Sequence, residues 1–233
     1  MNPDIAIILT GTIIPNSSLV VHSNPKLRRD EYIAAIKYYS QFCQVYFLEN
    51  SDYDIFADPE FSSCNNVTLR KFPVSLEYLR GKGFQEFEMI DKWFETEKNT
   101  PKRFIKITGR YIIRNFQSLF DECSNLEEET CLIDLYRKPK VAISSLFIIN
   151  SDNYSRYFKG AYLECDDQSG VYIEHILFKR INSSDLKTRF FKHVPRLDGI
   201  SGSSGTKLSR YRIIYMIKDQ KRILYNLFHF KFL

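Results

Sequence analysis

The 233-residue sequence predicts an α/β domain built on a mixed, mostly parallel central sheet. Short apolar runs alternate with stretches of helical periodicity through the first half of the chain, which is the pattern of strand-helix crossover units. Residues 5–9 (Ile-Ala-Ile-Ile-Leu) form a near-continuous apolar run suited to a strand covered on both faces. Two such runs lead into polar turns that contain Gly11 and Gly109, and a third glycine turn, Gly81-Lys82-Gly83, lies between them. Glycine lets backbone N–H groups approach and converge on phosphate oxygens.

After the first strand, residues 30–42 place Tyr32, Ile36, Tyr39 and Phe42 on one helical face. Residues 45–48 read as the next strand, ending in the polar cluster Glu49-Asn50-Ser51-Asp52. A helix over 85–94 carries Phe87, Ile90 and Phe94 on one stripe. Residues 104–107 are a strand, and Ile113, Phe116, Leu119 and Phe120 mark a further helix. Two extended stretches follow at 132–136 and 141–149, then a helix at 172–181 and a short strand at 190–194. Residues 198–206 are too rich in Gly and Ser for regular structure. The expected division is a domain over 1–206 and a basic amphipathic helix over 207–233. In open α/β sheets ligands bind outside the carboxyl ends of the strands, where the polar turns named above fall.

Composition narrows the setting. Five cysteines, an odd number without a C-x-x-C pair, argue against a disulfide framework and a zinc site, and are expected as buried thiols. No apolar run approaches the roughly 18 to 20 residues of a spanning helix, and the N-terminal stretch lacks a basic signal region, so the expected location is the cytoplasm. The net charge of +5 is unevenly spread. From Lys187 onward there are eleven Lys/Arg against two Asp, whereas residues 1–186 hold 22 basic and 26 acidic residues. A basic tail of this kind calls for a polyanionic partner: a phosphorylated ligand, an anionic membrane face or nucleic acid. From 208 to 233 basic residues interleave with apolar ones, which suits a helix lying on an anionic leaflet or a core helix with its lysines turned outward.

The segments ILTGTIIP (8–15), R-x-x-Y-x-x-A-I-x-Y-Y (29–39), FLENSDYD (47–54), GKGFQE (81–86) and KITGRY (106–111), with Tyr172-Ile173-Glu174 and the loop 199–205, carry a resemblance to a known family. In their order they resemble the nucleotide-sugar glycosyltransferases of the GT-A kind, especially small bacterial enzymes of lipopolysaccharide O-antigen or capsule synthesis. The resemblance covers residues 5–210. It implies a single GT-A-like, Rossmann-like domain and transfer of a hexose from a nucleotide-diphosphate sugar, a UDP-sugar, to a glycan or lipid-linked acceptor. It places the nucleoside on Thr10, Gly11 and Thr12 and on Glu49, Asn50 and Ser51. Each group also has a plainer reading, as a turn or a helix cap.

The sequence departs from the family's metal-binding pattern. Where a metal-dependent member carries Asp-x-Asp, this chain has Thr108-Gly109-Arg110-Tyr111. The resemblance then implies a metal-independent, inverting enzyme in which Arg110, Lys82, His193 and Lys207 stabilise the leaving diphosphate. Gly81 and Gly83 flank one of these cations, and Ser203 and Ser204 belong to a loop similar to a donor-covering lid. Asp166-Asp167 is the acidic pair that would hold a metal if one were used. Glu174, with His175 as second choice, is the candidate general base. The alternative function class is nucleic-acid binding, with the basic tail on phosphates and aromatic residues, including fifteen tyrosines, stacking on bases.

Overall fold

The computed structural model describes residues 4–16, 21–200, 206, 212–228 and 231–233. Strand β1 (Ile5–Gly11) is buried at every position, because apolar layers cover both its faces. Helix α1 (Pro25–Tyr39) begins five residues before the expected 30–42 and ends three before. Its start is set by Asn24, whose side chain accepts from the Leu27 N–H, and by Pro25 in the first turn, where a missing N–H costs nothing. Strand β2 (Gln44–Glu49) and a short helix α2 (Pro59–Ser62), capped by Asp58, lead to β3 (Val67–Lys71). Sequence patterning missed β3. It is a half-buried edge strand carrying Arg70 and Lys71, with no apolar run to betray it.

The second half continues with α3 (Lys82–Thr96), β4 (Arg103–Thr108), β5 (Ile112–Ile113) and α4 (Phe116–Ser124). Ile113 therefore belongs to a strand and not to the expected helix: β5 pairs with β9 further on, and its second residue is buried beneath that pairing. Strands β6 (Thr130–Tyr136) and β7 (Val141–Asn150) precede a short helix α5 (Ser151–Asn153). Helix α6 (Ile173–Asn182), β8 (Lys187–Arg189), β9 (Leu197–Asp198) and α7 (Arg212–Leu227) complete the order. The short strand expected at 190–194 is instead β8, just upstream. The backbone N–H and C=O of Phe190 are taken by the side-chain amide of Asn226, at 3.1 and 2.8 Å, so a side chain stands where a further strand would pair.

The seven-stranded sheet has the order β3-β2-β1-β4-β7-β6-β8. All strands run parallel except β7, which is antiparallel to both neighbours. This is the α/β class with a mixed, mostly parallel sheet expected from the sequence. One core packs α3 and α6 on one face of the sheet through Trp93, Phe104, Phe147 and Leu177. The other packs α1 and α4 on the opposite face through Ile7, Tyr39, Ile107 and Phe116. Four of the five cysteines lie inside these layers, and Cys64 is half-buried. Burial pushes the Cys43 and Cys123 thiols up to about 12, which leaves them unreactive.

Helix α7 rests against the β6 side of the sheet. Arg222 donates two hydrogen bonds to the Asp134 carboxylate, at 2.7 and 2.5 Å, and both residues are buried. Replacing Arg222 with Ala leaves a buried carboxylate without its partner and is expected to cost about 3–5 kcal/mol, measured by urea unfolding. The double replacement of Arg222 with Met and Asp134 with Leu is expected to recover most of that loss.

On the other face Arg29 donates to Asp58 at 2.5 and 2.8 Å, and this pairing above all holds the Asp58 carboxyl down at about 2. A depressed carboxyl stabilises the fold fully above its unfolded pKa of about 3.9, and the contribution is lost as pH falls through the folded value. The urea midpoints of the native protein and an Asp58→Asn variant are expected to differ at neutral pH and to converge at about pH 2.

Candidate active site

The order of the sheet reverses between β1 and β4, since the chain runs outward through β2 and β3 before returning to the other side of β1. Loops leaving the carboxyl ends of two such strands diverge and leave a crevice. A cleft of about 560 Å³ opens there. Thr10 and Gly11 of β1 and Thr12 just after it line the cleft, with Thr108 at the end of β4, Arg110 in the turn beyond it, and Lys82, Gly83 and Glu86 from the start of α3. Arg28 and Tyr32 of α1, Ser144 of β7, and Asp167 and Glu174 close its other sides.

Gly109 belongs to this floor by necessity. Its N–H donates to the Thr10 carbonyl at 2.9 Å, and a Cβ there would sit 2.7 Å from that same oxygen. Gly81 adopts φ +114°, and a Cβ on it would overlap the Asp167 carboxylate. The turn thus lets the Lys82 N–H donate to Asp167 at 2.9 Å.

Beneath the cleft lies a polar knot. Lys106 is fully buried and pairs with Glu86 at 2.7 Å while donating to the Ser144 carbonyl at 2.7 Å. Glu86 also accepts from the hydroxyls of Thr10 at 2.5 Å and Thr108 at 3.2 Å, joining β1, β4 and α3.

Two guanidinium groups face the cleft. Arg110, 6% exposed, pairs with Glu31 at 2.9 Å. Burial alone would lower its pKa, but Tyr32 and Glu31 outweigh that and raise it. Arg28, 5% exposed, donates only to neutral oxygens: the Thr12 carbonyl at 2.9 and 2.5 Å, the His22 carbonyl at 3.0 Å and the Tyr32 hydroxyl at 3.1 Å. No carboxylate oxygen lies within 4.0 Å of it among the described residues. Burial lowers its pKa, and Arg110 adds like-charge repulsion, against the opposing effects of Tyr32 and Glu31; a guanidinium nevertheless stays ionised. Among the described residues, then, the site holds a buried cation with no carboxylate in direct contact, Glu31 acting on it only from a distance.

Glu174, in the first turn of α6, lines the same cleft and accepts from the Ser144 hydroxyl at 2.5 Å. His175 does not line the cleft; its ring lies 5.7 Å from that of Tyr172.

Glu49, Asn50 and Ser51 are buried behind the cleft wall and do not line it. Asn50 accepts from the Thr12 hydroxyl at 2.6 Å, Glu49 accepts from the Ile13 N–H at 3.0 Å, and the Ser51 hydroxyl accepts from the Ile14 N–H at 3.1 Å. Together they hold the loop that follows β1. Glu49 also bonds Lys71.

His193 sits apart, 3.4 Å from Asp219 in a separate depression beside Glu122 and Lys192. Ser203, Ser204 and Lys207 lie outside the described residues. The two adjacent aspartates diverge: Asp167 reaches the cleft, whereas Asp166 accepts from the Ser169 hydroxyl at 2.6 Å and from the Gln168 N–H at 3.1 Å, closing its own turn. Those bonds, led by Ser169, lower the Asp166 carboxyl. Among the described residues no group of three or more His, Cys, Asp or Glu is placed to hold a metal ion.

Sequence reasoning did not single out Arg28, Glu31, Glu86 or Lys106. The Asn24-Pro25 helix start held the signal for Arg28, because it places that residue four before Tyr32 on the same face. Lys106 and Glu86 lie inside the quoted KITGRY and GKGFQE segments, where nothing in the spacing marks them as a pair.

No protein-family model matches the sequence, and no curated protein matches it. Solved structures with a similar course of the backbone include the glycosyltransferase GlyE of Streptococcus pneumoniae TIGR4, at 12% identity and a TM-score of 0.48. That likeness covers 78% of this chain and 44% of the streptococcal one, so the chain spans less than half the length of GlyE. The inositol-1-phosphate CTP transferase of T. maritima matches at 11% identity and a TM-score of 0.48, over 81% of this chain and 84% of its own. Mouse xyloside xylosyltransferase 1 matches at 12% identity and a TM-score of 0.43, over 80% and 83% respectively.

The tightness of the cleft floor is open to a direct check. Gly109→Ala forces a methyl group onto the Thr10 carbonyl and is expected to lower stability by about 1–3 kcal/mol in urea unfolding.

Proposed function

We propose that the chain is a glycosyltransferase that moves a sugar from a nucleotide-diphosphate donor, a UDP-sugar, to a hydroxyl of a glycan or lipid-linked acceptor, with inversion and without a bound metal. The observation that carries this reading is the buried Arg28, in direct contact with no carboxylate among the described residues, beside Arg110 at the switch point of the sheet. A diphosphate placed there meets two guanidinium groups, and charge that develops on it as a leaving group is stabilised without a metal. The GT-A-like α/β class supports the same reading, and surface-polysaccharide synthesis is the setting the sequence resemblance adds to it.

In the proposed reaction the acceptor O–H gives its proton to the Glu174 carboxylate, which the Ser144 hydroxyl orients. The acceptor oxygen bonds to the anomeric carbon as the bond from that carbon to the diphosphate oxygen breaks. The electron pair leaves with the diphosphate, next to Arg28, Arg110 and Lys82. Nucleoside contacts fall to Thr10, Gly11 and Thr12, while Glu49, Asn50 and Ser51 act by positioning the loop that carries Thr12.

The decisive measurement is thermal unfolding with UDP, GDP, CMP and dTDP, each with Mg²⁺ or Mn²⁺ and again with EDTA. One nucleoside diphosphate at about a hundredfold excess over its Kd is expected to raise the Tm by roughly 5–10 °C, with or without EDTA. Arg28→Gln and Arg110→Gln are expected to abolish that rise. Glu174→Gln is expected to keep it while lowering transfer about 10²- to 10⁴-fold. The absence of any nucleotide response, with salt-sensitive binding to nucleic acid instead, would overturn the proposal in favour of the nucleic-acid reading.

A further inference from the structure

Helix α7 is docked the reverse way round from an ordinary surface helix. The side that meets the domain carries Tyr215, Asp219, Arg222 and Asn226, spaced four, three and four residues apart on one face. This stripe is held by polar contacts: Arg222 with Asp134, Asp219 accepting from the Val194 N–H at 2.6 Å, and Asn226 with both backbone groups of Phe190. The opposite side exposes Met216, Ile217, Ile223, Leu224, Leu227 and Phe228, each between 41% and 67% accessible. At about 100° per residue these six fall within an arc of about 140°, and Gln220 is the one polar side chain among them across 215–228.

The charge around this arc has one sign. Lys221 is exposed at one edge of it and Lys218 is exposed further round on the same side, while Asp219, the helix's one acidic residue, is buried against the domain. From 207 to 231 the sequence holds seven Lys/Arg and that single Asp. An apolar stripe flanked on one side by ammonium groups matches the boundary between acyl chains and anionic headgroups. Two copies meeting through the same stripe would instead bring like charges together around it. No helix among the described residues is long and apolar enough to cross a membrane, so an association through α7 is with the surface of the bilayer.

We infer that the outward face of α7 is a docking surface for an anionic lipid bilayer, with the apolar stripe entering the headgroup region and the lysines on lipid phosphates. The polar stripe fixes the helix to the domain, so docking holds the whole domain, and the cleft with it, at the membrane surface. This inference does not depend on what the cleft binds.

The test uses the full chain with sedimenting vesicles of phosphatidylcholine alone and of phosphatidylcholine mixed with phosphatidylglycerol. Binding is expected for the mixed vesicles and to fall as salt is added. The double variant Ile217→Ser with Leu224→Ser is expected to bind roughly tenfold more weakly at any salt. The double variant Lys218→Gln with Lys221→Gln is expected to bind roughly tenfold more weakly at low salt and to lose most of its salt dependence. All four positions are exposed, so helix content is expected to stay unchanged in both variants and thermal unfolding to shift by no more than loss of the Lys221 contact with the Tyr225 ring allows, which checks that a loss of binding is not a loss of fold. Failure of the native chain to bind mixed vesicles, or equal binding by the variants, would overturn the inference. So would a concentration-dependent dimer in sedimentation velocity that the serine variant makes monomeric, which would assign the face to a second copy. Nucleotide-induced stabilisation of the same variants reports separately on the cleft.

Discussion

A lysine with no contact with water has to find oxygen partners inside the protein or give up its charge. Lys106 finds them in Glu86 and the Ser144 carbonyl, and that requirement organises the centre of the molecule. Glu86 comes from α3, Ser144 from the antiparallel strand β7, and Lys106 itself from β4. The hydroxyls of Thr10 and Thr108 then attach the ends of β1 and β4 to the same carboxylate. Four elements distant in sequence are thereby fixed at the point where the sheet reverses order. Oxygen atoms set this deep cannot drift with solvent, so the floor of the cleft is rigid before any ligand arrives.

Above that floor the electrostatics are uneven. Glu31 serves both Arg110 and His22, leaving Arg28 with carbonyl and hydroxyl partners only. Neutral dipoles satisfy the guanidinium's hydrogen bonds but leave its charge in place, and a buried charge of this kind is stabilised by an arriving anion. In the same cleft Glu174 and Asp167 keep the opposite sign. A cleft lined by Arg28, Arg110 and Lys82 as well as by Asp167 and Glu174 offers cations to an anionic group and carboxylates to hydroxyls of the same ligand.

The legible part of this fold was the part with period. The alternation of apolar runs and helical stripes was enough for the α/β class, and the glycine turns pointed to the strand ends where the cleft lies. Helix starts set by a cap and a proline, as at Asn24-Pro25, were outside the hydrophobic pattern, and with them went Arg28. Edge strand β3 was invisible for a related reason: a strand with one open side need not be apolar. The acidic and amide cluster after β2 was legible as a group with work to do, yet its partners are the backbone and side chain of the loop after β1. Spacing in sequence does not separate a group that touches a ligand from one that holds the loop beside it. The tail's basic and apolar residues were equally plain, but which stripe faces the domain depends on Asp134 and Phe190, far away in the chain.

The side chain of Asn226 has a role that reaches beyond the helix it belongs to. β8 is three residues long and forms one margin of the sheet, so the backbone just after it is open to pairing. An amide carries one donor group and one acceptor, the same complement that a neighbouring strand presents, and it cannot pass the pairing on to a further chain. By occupying Phe190 in this way the helix keeps the strand from extending past Arg189, so the margin left open to the strands of other molecules is only three residues long.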